Sequence, residues 1–322
     1  PHPGGRRSGR LEVVPLPSPV TWDRIATWVR MFSRDGQAGR IERCLFTAHR
    51  LGEEDRILPF LFDCTVEPRW LGFANNLIYL GYLSEIIDTF GWGKSSELSF
   101  NLSAKLVGRR LGEPERFRRD AVLLMGEMLP AIEAAARNGM PAAPEYDEDA
   151  FVRALVSVDI RKSFEAVRNV LEAGVDLHRV ITTLVLMAAD RMGRTPVNVD
   201  AGWEQLTTEL NLAAALRTVV RKGGRQVAAK GVFHAAWQVF ANRWINIPYR
   251  PLSEPPKAVA LDVAGEDSGM ALVVHSIKTL NYQEVGGQVV GYLNAGFSGE
   301  RLLQEMGRAI LWDDTSSRIL PA

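Results

Sequence analysis

Histidine is the residue type in this sequence best suited to proton transfer near neutral pH, and the chain has five histidines. None lies three or four positions from another, so no helix presents two imidazoles on one face as helical metal sites do. Only His234 and His275 lie in strongly apolar segments. Two imidazoles fall short of the usual set of metal ligands, so we expect no metal and no cofactor. A hydrogen-bonded core histidine is the simpler interpretation of each.

His234 lies in an aromatic segment, Val232 to Pro248, whose composition is typical of a buried helix and which ends at Asn-Ile-Pro. Trp237 follows it by three positions on nearly the same face. His275 has polar neighbours at helical spacing, because Lys278 and Tyr282 share its face. Such a lysine could bind an anionic group or lower the histidine pKa. Alternatively, Lys278 extends to solvent while the other two side chains pack.

A third polar set lies at helical spacing in residues 74–90, where Asn75, Tyr79 and Tyr82 precede Ile86. Hydroxyl and amide groups in an apolar helix can orient a substrate, and asparagine is also a common N-cap residue. Both interpretations of Asn75 stay open at this point.

The elements that must position these residues are helical, since most of the chain has apolar residues at helical period and strand patterns are short. Gly91-Trp92-Gly93 predicts a helix break, and the basic run at 221–225 predicts an exposed turn. A weak internal repeat places a glycine turn between two apolar helices near Gly174 and Gly296, with a looser copy near Gly36. We therefore predict an all-α fold of helical hairpins packed into a globular multi-helix domain with a central cavity. The predicted helices include 21–32, 37–51, 55–64, 74–90 and 114–138.

Two segments, 140–149 and 250–269, are rich in proline and acidic residues and are the best linker candidates. These linkers predict that the chain divides into several parts, which we expect to pack together as one globular unit. The parts are a flexible tail (1–20), two helical subdomains (21–139 and 150–249) and a C-terminal helical hairpin (270–322).

Composition excludes several classes of function. Lys plus Arg equals Asp plus Glu at 38 each, so no overall field attracts nucleic acid. No apolar run is long enough to span a membrane, the first ten residues lack the apolar core of a secretory signal, and no nucleotide-binding or α/β-hydrolase motif is present. The two cysteines, Cys44 and Cys64, favour a reducing compartment, so we expect a cytoplasmic protein.

Several segments together resemble a known family. Glu67 to Leu71, 75–92, 203–215, 232–248 and His275 to Lys278 resemble, in that order, all-helical domains found in bacteria as the C-terminal part of larger Rieske-type iron–sulfur proteins. The stretch Asn76 to Tyr82 also resembles the His-Pro-Leu-Ile-His-Leu-Gly-Tyr type motif of questin oxidase-like proteins. Those are cofactor-poor helical enzymes linked to the oxidation of polyketide anthraquinones.

The positions at which this chain differs from the families it resembles affect the predicted mechanism. Only His234 and His275, with Lys278, keep the family pattern, and no Rieske cysteine–histidine pair is present. Such a resemblance implies a retained pocket whose metal-dependent chemistry has been lost. The positions where the family has histidine are occupied here by Pro68, Asn75 or Asn76, Tyr79 and Thr207-Thr208.

These observations favour a metal-free tailoring enzyme of secondary metabolism that acts on a hydrophobic, polyketide-like small molecule. His234 or His275 would transfer the proton, tuned by Lys278 and by burial, in an oxidation, cyclisation or isomerisation. The pocket would be lined by helices at 74–90, 203–217, 232–246 and 271–283. Its substrate would be oriented by Asn75, Tyr79, Tyr82, Trp237 and Tyr282. The alternative is a non-catalytic helical protein that binds a ligand or partner and descends from such an enzyme.

Overall fold

A computed structural model describes residues 13–67, 74–108, 119–137, 145–195, 203–243, 254–279 and 281–311; the side chains at 94–98, 282–283 and 310–311 lie outside the description. Every regular element within these ranges is a helix, and none is a strand. The predicted all-α class is therefore confirmed.

The chain divides into two compact units, residues 1–252 and 253–322. The boundary falls inside the second predicted linker, whereas the predicted subdomains 21–139 and 150–249 both belong to unit 1. Unit 2 contains α10 (Glu266–Lys278), α11 (Tyr282–Asn294) and α12 (Gly299–Leu311). Unit 1 contains α1 (Trp22–Arg34), α2 (Ala38–Arg50), α3 (Glu54–Val66), α4 (Asn75–Val107), α5 (Arg119–Arg137), α6 (Glu148–Leu155), α7 (Ile160–Glu172), α8 (Leu177–Arg194) and α9 (Trp203–Ala241).

Short turns connect consecutive helices where the connection is described, and glycine makes several of these turns. Gly36, Gly174 and Gly296, the glycines of the predicted repeat, follow α1, α7 and α11 with φ between 70° and 79°. This left-handed backbone favours glycine, which has no Cβ to clash with the following carbonyl. The predicted break after residue 90 is also confirmed, because Gly91 has a φ of 72° inside α4.

Residues just before the first helix are tied to α2. Leu16 donates its backbone N–H to the Thr47 hydroxyl over 2.9 Å. The Arg43 guanidinium donates to the carbonyls of Val14 (2.8 Å) and Pro15 (3.1 Å). The end of the predicted tail is thus hydrogen-bonded to unit 1.

The core of unit 1 surrounds α9, which packs against α3, α4, α5, α7 and α8. Residues 231–239 are buried on every face, and the Phe233 ring lies 4.4 Å from that of Phe164 in α7. A helix that is apolar on all sides must be enclosed by its neighbours. The predicted burial of this segment is confirmed for its described part, while residues 244–248 lie outside the described ranges.

α9 is a hairpin of two antiparallel helical segments. Its backbone leaves the helical conformation at Gly224, where φ is 81° and ψ is 173°. A Cβ on Gly231 would lie 2.4 Å from Leu216, and the Asn242 amide donates to the Gln205 carbonyl over 3.4 Å. Both pairs are centred on the same turn, so the chain reverses there. We call the segments α9a (203–223) and α9b (225–241); the predicted basic turn at 221–225 joins them.

Replacing Gly224 with Ala is expected to lower the free energy of unfolding by about 1–3 kcal/mol, because only glycine adopts this backbone conformation without strain. No neighbouring atom lies within 4 Å of the added Cβ, so strain rather than a clash causes the loss. Chemical denaturation followed by tryptophan fluorescence measures the change. Gly193→Ala is the matched control: this exposed glycine of α8 also has open space around it, and alanine there should be neutral or slightly stabilising. Equal effects of the two substitutions would contradict a strained turn.

Unit 2 has its own small core, formed by Met270, Val273, Tyr292 and Leu302. The buried Tyr292 hydroxyl donates to the Glu266 carboxylate over 2.9 Å. Residues 254–263 form no helix or strand, and residues 256–261 lie against the glycine face of α11. A Cβ on Gly291 would lie 2.0 Å from the Val259 carbonyl oxygen, so only glycine permits this approach.

Candidate functional site

A solvent-open cavity of about 770 Å³ lies where the α9 turn meets α1, α3 and α5. Small-molecule sites have volumes of roughly 300–1,000 Å³, so the size suits an organic ligand. Its apolar wall consists of Trp22, Pro59, Phe60 and Val227. The other lining residues are Asp55, Arg56, Asp63, Ala136, Arg137, Gly223, Gly224, Arg225 and Gln226.

Local sequence explains the shape of this cavity. Gly223 approaches α3 so closely that a Cβ there would lie 3.3 Å from the Cβ of Phe62. Phe60 and Asp63, three positions apart on α3, present an aromatic ring and a carboxylate to the same opening. The Trp22 ring packs edge-on against Phe60, with 5.5 Å between centroids. These aromatic rings are therefore held by each other before any ligand arrives.

Three arginines line the cavity with different partners. Arg56 pairs with Glu53 at 3.2 Å and lies 4.7 Å from the Trp22 ring. Arg225 donates from Nε to the Ala136 carbonyl over 3.2 Å, and its Nη2 is buried without an acceptor among the described residues. Arg137 donates from Nε only to the Glu133 carbonyl. Within the described ranges, Arg137 and Arg225 thus have no carboxylate partner.

Asp63 connects the cavity wall to a network of charges. Its carboxylate accepts from Arg30 over 2.5 Å and lies 3.3 Å from the Lys230 ammonium, which is also 3.1 Å from Glu133. Burial alone would raise the pKa of Asp63, but the hydrogen bond from Arg30 and the charge of Lys230 outweigh it and lower the pKa. Asp63 is therefore ionised at neutral pH and is better suited to positioning cations than to donating a proton.

His234 lies one turn beyond Lys230 on α9b, with 3% of its surface exposed. Its Nε2–H donates to the Val66 carbonyl over 3.3 Å, and Nδ1 has no hydrogen-bond partner among the described residues. Burial and, to a smaller extent, the charge of Lys230 lower the pKa of His234 to about 4, although the hydrogen bond to the Val66 carbonyl acts in the opposite direction. The imidazole is therefore neutral at pH 7. It does not line the cavity, although Lys230 connects its helix to Asp63.

The other predicted site residues of unit 1 do not line this cavity either. Tyr79 and Tyr82 are 50% and 45% exposed on α4, on a surface stripe that continues to Phe90. Asn75 is the first residue of α4 and does not cap it, because Ala74 occupies the N-cap position with a φ of 55°. Trp237 is buried, with its ring 6.2 Å from that of Phe240.

The two predicted catalytic residues of unit 2 lie at its surface. His275 and Lys278 are both exposed on α10. The burial that was expected to tune His275 is thus not observed. The Tyr282 side chain lies outside the described residues. The catalytic roles assigned to His275 and Lys278 from the sequence stay predictions.

Sequence reasoning missed a buried ion pair between α8 and α9a. Arg191 donates from Nη1 to both carboxylate oxygens of Glu209, at 3.0 and 2.7 Å, and from Nη2 to the Asn242 carbonyl. Both side chains are at most 5% exposed. The sequence does indicate a buried charge here, because Glu209 interrupts the apolar stripe that runs from Leu206 to Leu212. The contacts join both ends of the α9 hairpin to α8, which gives the pair a structural role.

Two further properties of the described residues concern metal binding and membrane insertion. No three His, Cys, Asp or Glu side chains within the described ranges come together in a way that could hold a metal ion. Across the same ranges, no helix combines the length and apolar character needed to cross a membrane.

Comparison with known proteins gives no relative: no protein-family model, curated protein or solved structure matches this chain. The resemblance to questin oxidase-like and Rieske-associated helical domains therefore stays a prediction from the sequence.

Proposed function

We propose that this protein binds a small organic molecule with a hydrophobic body in the cavity at the α9 turn. The observation that carries the proposal is a cavity of about 770 Å³ with an aromatic wall and a charged rim. Pockets of this size with apolar walls and a few polar groups are the usual form of small-molecule sites. Hydrophobic contact with the apolar wall would contribute to the binding free energy.

Binding is favoured over catalysis by the chemistry of the cavity wall. Asp63 is held as a carboxylate by Arg30 and Lys230, so it does not donate a proton near neutral pH, and its lowered pKa makes it a weak proton acceptor. Arginine is always protonated at physiological pH and accepts no proton. The lining groups are thus suited to recognising a ligand.

A metal-free small-molecule enzyme is the second candidate, and the state of His234 favours it. The Nδ1 atom of this neutral imidazole has no partner among the described residues and can accept a hydrogen bond from a substrate group that reaches it. Native mass spectrometry of protein from its producer would identify a retained ligand. Conversion of that ligand by the natural sequence but not by His234→Gln would support an enzyme acting on a polyketide-like substrate.

We expect saturable binding of Nile red, a neutral hydrophobic dye, with one equivalent bound and a blue shift of its emission. Gln226→Trp, which places a bulky ring at the cavity, should weaken this binding about tenfold or more by occupying the space. Gln304→Trp makes the same change at an exposed position of unit 2 and should leave binding unchanged. Non-saturable binding, or equal binding by the two variants, would contradict a ligand site in this cavity.

A further inference from the structure

We infer that the ligand of this cavity is an organic acid, with a carboxylate held by Arg225 and Arg137 and an aromatic or polycyclic body against Trp22 and Phe60. The inference rests on the proposed function and specifies the chemistry of its ligand. No motif in the sequence assigns this site.

Arg225 is the strongest indication of an anionic group. Its side chain is fixed by the bond from Nε to the Ala136 carbonyl, yet its buried Nη2 has no acceptor among the described residues. A buried cationic donor without an acceptor is unfavourable. The Arg225 residue also lines the cavity, and arginine forms paired hydrogen bonds with carboxylates, so an acid bound at this edge would supply a counter-charge that the described residues do not.

Arg137 places a second guanidinium at the same edge. It follows Ala136, whose carbonyl holds Arg225, so the two arginines flank one short stretch of α5. Arg137 bonds through Nε to the Glu133 carbonyl, and no carboxylate within the described ranges pairs with it. Two guanidinium groups that have no counter-ion among the described residues and lie on one rim favour an anion over a cation.

The start of α9b adds to this positive potential. The helix resumes after Gly224, so its first residues, Arg225 to Val227, lie at the cavity. A helix N-terminus carries partial positive charge and exposes N–H groups that favour anions. This contribution supports the arginines and does not by itself define a site.

The carboxylates of the cavity do not cancel this charge. Asp63 is neutralised by Arg30 and Lys230, and Arg56 is paired with Glu53. Asp55 remains as the opposing carboxylate, on the α3 side of the cavity. An elongated acid could thus place its carboxylate beside α5 and its apolar body against α1 and α3.

Displacement of bound Nile red by 1-naphthoate and by neutral 1-naphthamide tests the inference on the unaltered protein. The two competitors share one ring system and differ in charge. We expect naphthoate to displace the dye at about tenfold lower concentration than naphthamide, and this advantage to shrink at high salt. Equal potency would overturn an acid-binding site while leaving a hydrophobic ligand site intact. Failure of Nile red to bind would overturn the proposed function itself.

Single substitutions then locate the charge recognition. Arg225→Gln and Arg137→Gln should each remove most of the advantage of naphthoate and leave naphthamide unchanged. Arg24→Gln is the matched control, because Arg24 stacks on Trp28 at the surface and does not line the cavity. Circular dichroism and thermal unfolding confirm that each variant is folded. A naphthoate advantage that persists in both cavity variants would overturn the assignment to these arginines.

Discussion

Glu209→Gln is expected to lower the free energy of unfolding by about 3–5 kcal/mol, because it leaves the buried guanidinium of Arg191 without its counter-charge. Arginine does not lose its proton in proteins, so Arg191 cannot relieve the imbalance by becoming neutral. Denaturant unfolding followed by tryptophan fluorescence measures the loss. Seven of the eight tryptophans lie in residues 1–252, so the signal reports mainly unit 1, where the pair lies.

Replacing the other member of the pair, Arg191, should lower the free energy of unfolding by a smaller amount. With Arg191→Met, Glu209 is left alone in an apolar site, where burial raises the pKa of its carboxyl and the opposing charge of Arg191 is gone. It can therefore take up a proton and become neutral, most easily in mildly acidic solution. The double variant Arg191→Met with Glu209→Leu should recover much of the stability lost in Glu209→Gln, because a well-packed apolar pair can replace a buried ion pair.

An exposed pair provides the matched control. Glu148 lies 2.9 Å from Arg179, and both side chains are more than 40% exposed. Glu148→Gln makes the same chemical change in water-accessible surroundings, where an ion pair contributes about 1 kcal/mol or less. If Glu209→Gln cost no more than Glu148→Gln, the buried pair would not hold α8 to the α9 hairpin as the geometry indicates.

How far the sequence predicts this fold depends on whether a feature is local. The glycine turn at Gly174 and the reversal near Gly224 were predictable, because glycine marks the backbone conformations that other residues avoid. The burial of residues 231–239 followed from their composition, since no face of that helix is polar enough for solvent.

Features that depend on packing between distant elements were not predictable. The cavity joins Trp22, Phe60 and Arg225, which lie far apart in the sequence and meet only because α9 reverses onto α3 and α5. The exposure of Tyr79 and Tyr82 also escaped prediction, because apolar helical spacing does not reveal which stripe a neighbouring helix covers. His234 was correctly placed in a buried helix, but its neighbour Lys230 and its acceptor Val66 required the fold.

His234→Gln is expected to change how stability depends on pH. The pKa of His234 is about 4 in the folded protein and 6.5 for the unperturbed side chain. Since the unfolded chain binds this proton more readily, the contribution of His234 is complete above pH 6.5 and is lost as pH falls toward 4. The difference corresponds to about 3 kcal/mol. Gln does not titrate, and its amide N–H can still donate to the Val66 carbonyl.

The measured quantity is the free energy of unfolding of the natural sequence minus that of His234→Gln, followed from pH 7 to pH 4. This subtraction removes the effect of every other group that titrates between pH 7 and pH 4, because both proteins contain those groups. A difference that stayed constant from pH 7 to pH 4 would mean that His234 titrates alike in folded and unfolded chains, and the buried neutral imidazole would be wrong.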